Sequence, residues 1–225
     1  MDDRQFTYMT ADWLLGHERF IEKFLQTAEI RFLKKGDILY HQGEAVELLY
    51  LVLKGTVESY FENDSGRQKI TSISQRGVLV GLTGLNDYAG HHTLRCRTSV
   101  IVAVAPKETV YQWDSEMLTA LIQMQTRKIK TAFAQMIHQS TQTIESRILR
   151  LLLEAGHEEE TTEYEIPVNI VFSRQEIASI VGSTRERVGQ VMNELQNQKL
   201  LELDGRDIYF YPSALKKRLE QIKAV

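Results

Sequence analysis

The chain has 225 residues, of which 43% are hydrophobic and 25% charged, and carries a formal net charge of −3. This is an ordinary globular composition with room for two small domains or one large one, and the sign of the charge excludes a uniformly basic nucleic-acid coat, so any polyanion site has to be a local patch. The single cysteine, Cys96, excludes an internal disulfide framework, a four-cysteine zinc site and an iron–sulfur cluster held by one chain. With no signal peptide, no lipidation motif and no apolar run of about 18 residues, the expectation is a cytoplasmic protein with no membrane partner.

In chain order, residues 6–29 contain a predicted short helix in which Phe20 and Phe24, four apart, pack together. From about 30 to 112 the pattern becomes short alternating or β-branched runs, such as LLYLVL and SVIVAVA, separated by turn signals at Lys35-Gly36-Asp37, Gln42-Gly43-Glu44, Lys54-Gly55, Asn63-Asp64-Ser65-Gly66 and Arg76-Gly77. Strands at that spacing predict a small antiparallel sandwich or barrel.

A stretch free of glycine and proline follows over roughly 114–155, with Asp114 or Ser115 placed to cap its start. Ile122, Ile129 and Met136 recur every seven residues and offer a seam to a partner helix, but the intervening Gln125, Ala132 and Gln139 make it a weak zipper. The same seam would also serve a helix lying on its own sandwich. A break near His138–Thr141 is expected to release a second helix carrying Ile144, Ile148, Leu151, Leu152 and Ala155. After it, GHEEETTEYE reads as an acidic, solvated loop.

Residues 173–195, SRQEIASIVGSTRERVGQVMNEL, fit a helix-turn-helix. Ile177, Ile180 and Val181 give the first helix an inner stripe, and Ala178 is small where the second helix must approach. Gly182 stands where the turn calls for positive φ. Ser183 and Thr184 are both able to cap the second helix, Glu186 offers a capping box with Ser183, and Val188 and Val191 return that helix to the core. The continuation LLELDGRDIYFYP places two β-rich runs around Asp204-Gly205, a strong hairpin signal. Helix-turn-helix plus hairpin is a winged helix. Its polar first turn suits a DNA major groove: Arg185 donates twice to a guanine, Glu186 accepts from a cytosine amino group, and Gln190 suits an adenine edge. Arg174, Ser183, Thr184 and Arg187 are assigned to the phosphate backbone. By itself Arg-Glu-Arg would be only a solvated helix face; the surrounding motif gives it direction.

RQEIASIVGSTRERVGQ with its LLELDGRDIYFY wing closely resembles the DNA-binding domain of the cyclic-AMP receptor protein / fumarate-nitrate regulator (CRP/FNR) superfamily of bacterial transcription regulators. The resemblance extends over nearly the whole chain: KKGDILYHQGE, LYLVLKGTVESYF and GRQKITSISQRG look like the early strands of that family's cyclic-nucleotide-binding β-roll, and IESRILRLLLEAG is similar to the helix after its dimerisation helix. The fold class implied is α+β: an antiparallel β-roll (a jelly roll) with an N-terminal helix at 1–113, a dimerisation helix at 114–138 and a winged helix-turn-helix at 139–225. The resemblance also implies a homodimer reading an inverted repeat, with half-site centres about one DNA turn (~10 bp) apart, and RNA polymerase as a partner. In the family's cyclic-AMP branch an Arg, a Glu and a second Arg read a TGTGA-like half-site. Arg185 and Glu186 match the first two and Gln190 replaces the third, which implies a related but altered half-site.

The effector region departs from the cyclic-AMP binders. Those carry a Gly-Glu near the start of a phosphate-binding cassette and an Arg-Ser or Arg-Thr near its end, the Glu accepting from the ribose hydroxyl and the Arg neutralising the phosphate. In VGLTGLNDYAGHHTLRCR, Gly81 and Gly84 match, Leu82 stands at the Glu position, and the Arg-Ser position falls among Gly90, His91, His92 and Thr93. The hydroxyl pair of the facing helix falls on Ala132 and Phe133; Thr83, Leu85 and Lys128 complete the expected pocket. Each change removes a polar partner, and a desolvated phosphodiester facing Leu and neutral His is poorly compensated, so cyclic AMP is not the expected ligand. Haem is one replacement, since His91, His92, Cys96, Met124 and Met136 are types that ligate iron; two adjacent histidines also simply point to opposite sides of a strand. An apolar or aromatic small molecule against Leu82, Leu85, Tyr88 and Phe133 is another, although the same residues could just fill space. Cys96 lies between Arg95 and Arg97, which lower a thiol pKa and favour redox sensing, although a lone strand cysteine is commonly a small buried residue.

The expected function is therefore sequence-specific transcription regulation, gated allosterically by a small-molecule, gas or redox signal in the β-roll, with the effector itself unknown. Two alternatives stay open at this stage. One is a metal-dependent β-barrel enzyme fused to a winged helix and using His41, His91 and His92, against which stands the lack of a His-x-His plus Glu spacing and of a nucleophile–base pair. The other is a DNA-binding dimer that needs no effector.

Overall fold

The computed structural model describes residues 9–10, 17–66, 68–86, 89–156 and 167–223. Tyr88, the acidic loop over 157–166 and most of the 6–29 stretch ahead of residue 17 lie outside the described residues. The chain forms two compact units, residues 9–131 and residues from 132 onward, with the boundary inside the long helix.

In the first unit, α1 (Glu18–Thr27) buries Phe20 and Phe24, as their spacing predicts. Their rings stack 6.2 Å apart, and Trp113 meets both edge-on. The strand-rich stretch forms two sheets. One has the order β1 (Met9–Thr10), β6 (Gln68–Ser74), β5 (Val57–Glu62), β8 (Thr93–Cys96), β3 (Ile38–Tyr40); the other has the order β2 (Glu29–Leu33), β9 (Val100–Pro106), β4 (Leu48–Lys54), β7 (Leu79–Val80). All pairings are antiparallel except β1 on β6. The apolar runs read from sequence supply the shared core: Leu49, Leu51 and Val52 from β4 and Val102, Ala103 and Ala105 from β9 are all at 0% exposure. Met117, Ala120 and Met124 of the following helix join the same core.

That helix, α2 (Ser115–Thr141), starts where expected, with Asp114 Oδ1 accepting from the Met117 amide at 3.0 Å. It runs further than the sequence suggests. The hydroxyls of Ser140 and Thr141 donate back to the Ile137 carbonyl at 2.9 and 2.8 Å, which keeps them inside the helix instead of breaking it. The break falls at Gln142-Thr143, where Thr143 caps α3 (Ile144–Ala155) by accepting from the Ser146 amide.

The second unit packs α3, α4 (Arg174–Val181), α5 (Arg185–Asn197) and α6 (Pro212–Lys223) with a sheet of order β10 (Val168–Val171), β12 (Asp207–Phe210), β11 (Leu201–Asp204). Neither β10 nor α6 is expected from the sequence reading. The wing hairpin forms one residue later than read: Asp204 pairs with Asp207, so the two-residue loop is Gly205-Arg206, with Gly205 at φ 61°. Ile177, Val181 and Val188 reach 0% exposure and Val191 4%, and each such burial stabilises the unit by about 1.5–3 kcal/mol. Among the described residues, no helix is long and apolar enough to cross a membrane.

Candidate nucleic-acid interface and effector site

The helix-turn-helix is fixed by local capping. Ser173 and Glu176 form a reciprocal capping box at the start of α4: Ser173 Oγ accepts from the Glu176 amide at 3.2 Å, and Glu176 Oε2 accepts from the Ser173 amide at 2.8 Å. Gly182 ends α4 in the left-handed region, at φ 69° and ψ 56°, which a side chain would resist. The cap of α5 is Thr184, whose side chain accepts from the Arg187 amide at 3.2 Å. This corrects the Ser183–Glu186 capping box. Ser183 is still part of the α4 exit, donating its amide to the Ala178 carbonyl at 2.9 Å, so it stands one position too early.

With Val188, Val191, Met192 and Leu195 buried, α5 exposes Arg185, Glu186, Arg187 and Gln190 on its opposite side. Two arginines are engaged at this surface. Arg187 Nη1 donates to Gln190 Oε1 at 3.0 Å, and Arg174 Nη2 donates to Asn193 Oδ1 at 3.2 Å. Arg206 at the wing tip donates to Glu176 Oε2 at 2.7 Å, tying the hairpin to the cap of α4.

One residue of this unit escapes the sequence reading. Arg147 on α3 is 8% exposed, and its Nη1 donates to the carbonyls of Val181 and Gly182. A buried guanidinium thus satisfies the orphan carbonyls at the end of α4 and holds the turn. In the sequence Arg147 shows only as an interruption of the stripe Ile144, Ile148, Leu151, at a position that an apolar residue would otherwise take, with nothing to mark its partner.

In the β-rich unit, the cassette opens with Gly81 at φ 94° and continues as a 3-10 helix, Leu82–Asn86. A Cβ on Gly84 would stand 1.9 Å from the Val46 carbonyl oxygen, so only glycine fits there. Leu82 is 8% exposed and belongs to the core. Thr83, Leu85 and His92 are half-buried, while Thr93 is buried and accepts from the Gln42 amide at 3.0 Å. His91, Lys128, Ala132 and Phe133 are exposed. His92 Nε2 lies 2.7 Å from the Tyr40 hydroxyl. Burial, ahead of repulsion from Lys128 and His91, pushes the imidazole down to about 4, and burial likewise raises the Tyr40 phenol far above its usual value. Both partners are therefore neutral at pH 7. The Thr83 hydroxyl, buried beside Tyr40, has no hydrogen-bond partner of good geometry.

Cys96 does not fit the reactive thiol considered from its flanking arginines. It is 1% exposed, and burial, aided by Asp37, pushes it up to about 11. The arginines are committed elsewhere: Arg95 Nε donates to the buried Glu58 at 2.9 Å and Arg97 Nη1 at 3.4 Å, and the Arg95 guanidinium stacks 4.6 Å over the Tyr60 ring. His41 is exposed, and among the described residues no three His, Cys, Asp or Glu side chains gather as a metal would require.

Two family models match. Residues 30–115 match the cyclic nucleotide-binding domain and residues 146–218 the Crp-like helix-turn-helix domain. The chain is 27% identical over 196 residues to the cAMP-activated global transcriptional regulator CRP of Salmonella typhimurium, an alignment covering 85% of this chain and 93% of that one. It is also 27% identical to the cAMP-activated global transcriptional regulator Vfr of Pseudomonas aeruginosa, over 80% of this chain and 88% of that one. The solved c-di-GMP responsive global regulator CLP of Xanthomonas campestris superposes with a TM-score of 0.75 at 26% identity, covering 86% of this chain and 99% of that one. For a CRP/FNR-family transcriptional regulator of Thermus thermophilus the TM-score is 0.76 at 24% identity, with coverage of 86% and 100%.

A winged helix-turn-helix unit joined by a long helix to a cyclic-nucleotide-binding-type β-roll defines a DNA-binding transcription regulator, and the relatives are regulators rather than enzymes. The chain belongs to the CRP/FNR family.

Proposed function

We propose that the protein acts in the cytoplasm as a homodimer, joined along α2, that reads an inverted repeat with two copies of α5 and recruits or blocks RNA polymerase there. The observation that carries the reading is the polar face of α5. Arg185, Glu186 and Gln190 are exposed at its N-terminal end while the opposite face is buried, and the free N–H groups of that helix end favour phosphate. Base reading falls to Arg185, Glu186 and Gln190; Arg174, Ser183, Thr184 and Arg187 serve the backbone.

Dimerisation is supported by what α2 leaves uncovered. Ile122, Ile129, Phe133, Met136 and Ile137 are 52–65% exposed, an apolar stripe that one isolated chain leaves in water. It contains the expected seven-residue repeat and adds Phe133 to it.

The β-roll gates the dimer with an effector other than cyclic AMP. Leu82 is buried at the position where the family's cyclic-AMP binders have their ribose-accepting Glu. His92, at the end of the cassette, is neutral and bonded to Tyr40, so it supplies no charge to a phosphodiester. Gly81, Thr83, Gly84, Leu85, His91, Thr93 and Lys128 complete the proposed effector region.

The test is selection of bound sequences from random duplex DNA, with protein alone and with small molecules from a cell extract added. An inverted repeat enriched only in the second arm is the expected result. Enrichment in both arms would mean that gating by an added effector is wrong, and enrichment in neither would remove base reading by α5.

A further inference from the structure

The contact between Arg187 and Gln190 fixes more than a side-chain position. Arg187 Nη1 lies 3.0 Å from Gln190 Oε1. Both residues are exposed and lie one turn apart on α5. A guanidinium carries five N–H donors and no acceptor, so its partner atom has to be the carbonyl oxygen of the amide. The usual ambiguity between the two ends of a glutamine amide is removed by the chemistry of the neighbour. With Oε1 turned to Arg187, the part of Gln190 left to face outward is its NH2 group.

That orientation decides which base edge Gln190 suits. A bidentate contact to adenine needs one donor, for N7, and one acceptor, for the N6 amino group. Here Arg187 takes one lone pair of the acceptor and turns the oxygen toward itself, and the two donors of the NH2 group remain. In the major groove a guanine edge presents two acceptors side by side, O6 and N7, whereas thymine presents one, O4, beside its methyl group. We propose that Arg187 is a positioning residue that sets the specificity of Gln190, holding the amide oxygen so that its NH2 faces the groove and selects guanine over the adenine that an unrestrained glutamine prefers.

The remaining N–H groups of Arg187 let it keep a DNA phosphate while it holds Gln190, because only one of the five is used in the contact. A single arginine then serves backbone and base at once: the phosphate fixes the guanidinium and the guanidinium fixes the amide. The proposal rests on α5 reading DNA, and it replaces the adenine edge first expected for Gln190.

The test compares binding sites selected from random duplex DNA by the full-length protein and by its Gln190→Ala, Arg187→Ala and Arg187→Lys forms. The column that loses base preference in Gln190→Ala marks the base pair Gln190 faces. In the unsubstituted protein that column is expected to be guanine, preferred over adenine by about tenfold in titrations of the matched duplexes. In Arg187→Ala it shifts to adenine or becomes degenerate, while the columns set by Arg185 and Glu186 stay the same. Arg187→Lys, which keeps the charge but lacks the planar fork, loses the guanine preference while keeping more of the overall affinity. Because those other columns report folding, a column lost alone is a true specificity change.

Adenine in that column of the unsubstituted protein would overturn the proposal, showing that the second lone pair of Oε1 is the one used. An unchanged column in Arg187→Ala would overturn it too, leaving Arg187 as a phosphate contact only. If Gln190→Ala flattens no column, the proposal fails while base reading by Arg185 survives. If no form enriches any sequence, the reading head itself is wrong.

Discussion

Both units of this chain match models of the same family, but they differ in the chemistry of the groups they present. In the helix-turn-helix unit the expected motif is formed: a capping box at Ser173–Glu176, a left-handed Gly182 and an exposed Arg185-Glu186 pair. In the β-roll the framework is formed, and the cassette of the proposed effector region is lined by apolar and neutral groups. Gly81 and Gly84 still shape the cassette, because φ 94° at the first and the Val46 carbonyl at the second leave no alternative. Beside them Leu82 is buried in the core, and Tyr40 and His92 form a neutral pair. Under the proposed function the protein would keep the family's output with a different input, since backbone geometry and ligand chemistry reside in different residues.

The contrast can be broken most severely at the helix that belongs to both units. Phe133→Asp or Ile129→Glu places charge in the exposed stripe of α2. Either is expected to leave a folded monomer in sedimentation and to lower affinity for a full inverted repeat by about 10²–10⁴-fold, the gain that tethering two heads supplies. A variant that remains dimeric with unchanged affinity would place the dimer interface elsewhere.

Next in size is Arg147→Ala. Removing the guanidinium leaves the Val181 and Gly182 carbonyls without their partner inside the unit, at a cost of about 3 kcal/mol. Urea unfolding of the full chain should show the loss in the helix-turn-helix unit first, with little change in the β-roll.

For the β-roll the sharper probe is pH. The His92 imidazole is pushed from 6.5 to about 4, so the unfolded chain takes up its proton before the folded one does. Stability from keeping His92 neutral is complete above pH 6.5 and falls as the pH drops from 6.5 toward 4, by about 2 kcal/mol once partial exposure is allowed for. His92→Gln should flatten that slope in thermal melts at a series of pH values. An unchanged slope would mean that His92 is solvated when the protein is folded.

The smallest effect separates two neighbouring caps. Thr184→Ala should cost about 1 kcal/mol and Ser183→Ala only a few tenths, because Thr184 alone accepts from the first turn of α5. The reverse order in chemical denaturation would restore the Ser183 cap.

These cases also show what the sequence makes legible. Helix caps, the φ requirement of Gly182 and the apolar stripe of α5 act over a few residues, so they can be read directly, to within a one-residue shift at Thr184 and at the Gly205-Arg206 loop. Arg147 and Tyr40 act across distance. Arg147 reaches a carbonyl 34 positions along the chain and Tyr40 a histidine 52 positions along, and no local pattern announces either pairing. The arginines beside Cys96 mislead for the same reason: proximity in sequence suggests an activated thiol, whereas both turn to Glu58 in the adjacent strand. The strand β10 is four residues long and the helix α6 is largely polar, so neither carries a strong periodic signal of its own. Both are stabilised by partners, β12 for the one and α3 for the other.

The most direct test of the central claim is the base discrimination of Arg185. Binding of Arg185→Ala is measured against a selected inverted repeat and against the same repeat with each half-site guanine replaced in turn. Reading of a base edge predicts that one guanine position loses about 1–3 kcal/mol of discrimination while the other positions keep theirs. A loss of affinity spread evenly over all sequences would mean that Arg185 touches only phosphate, and that the exposed face of α5 does not read DNA as described.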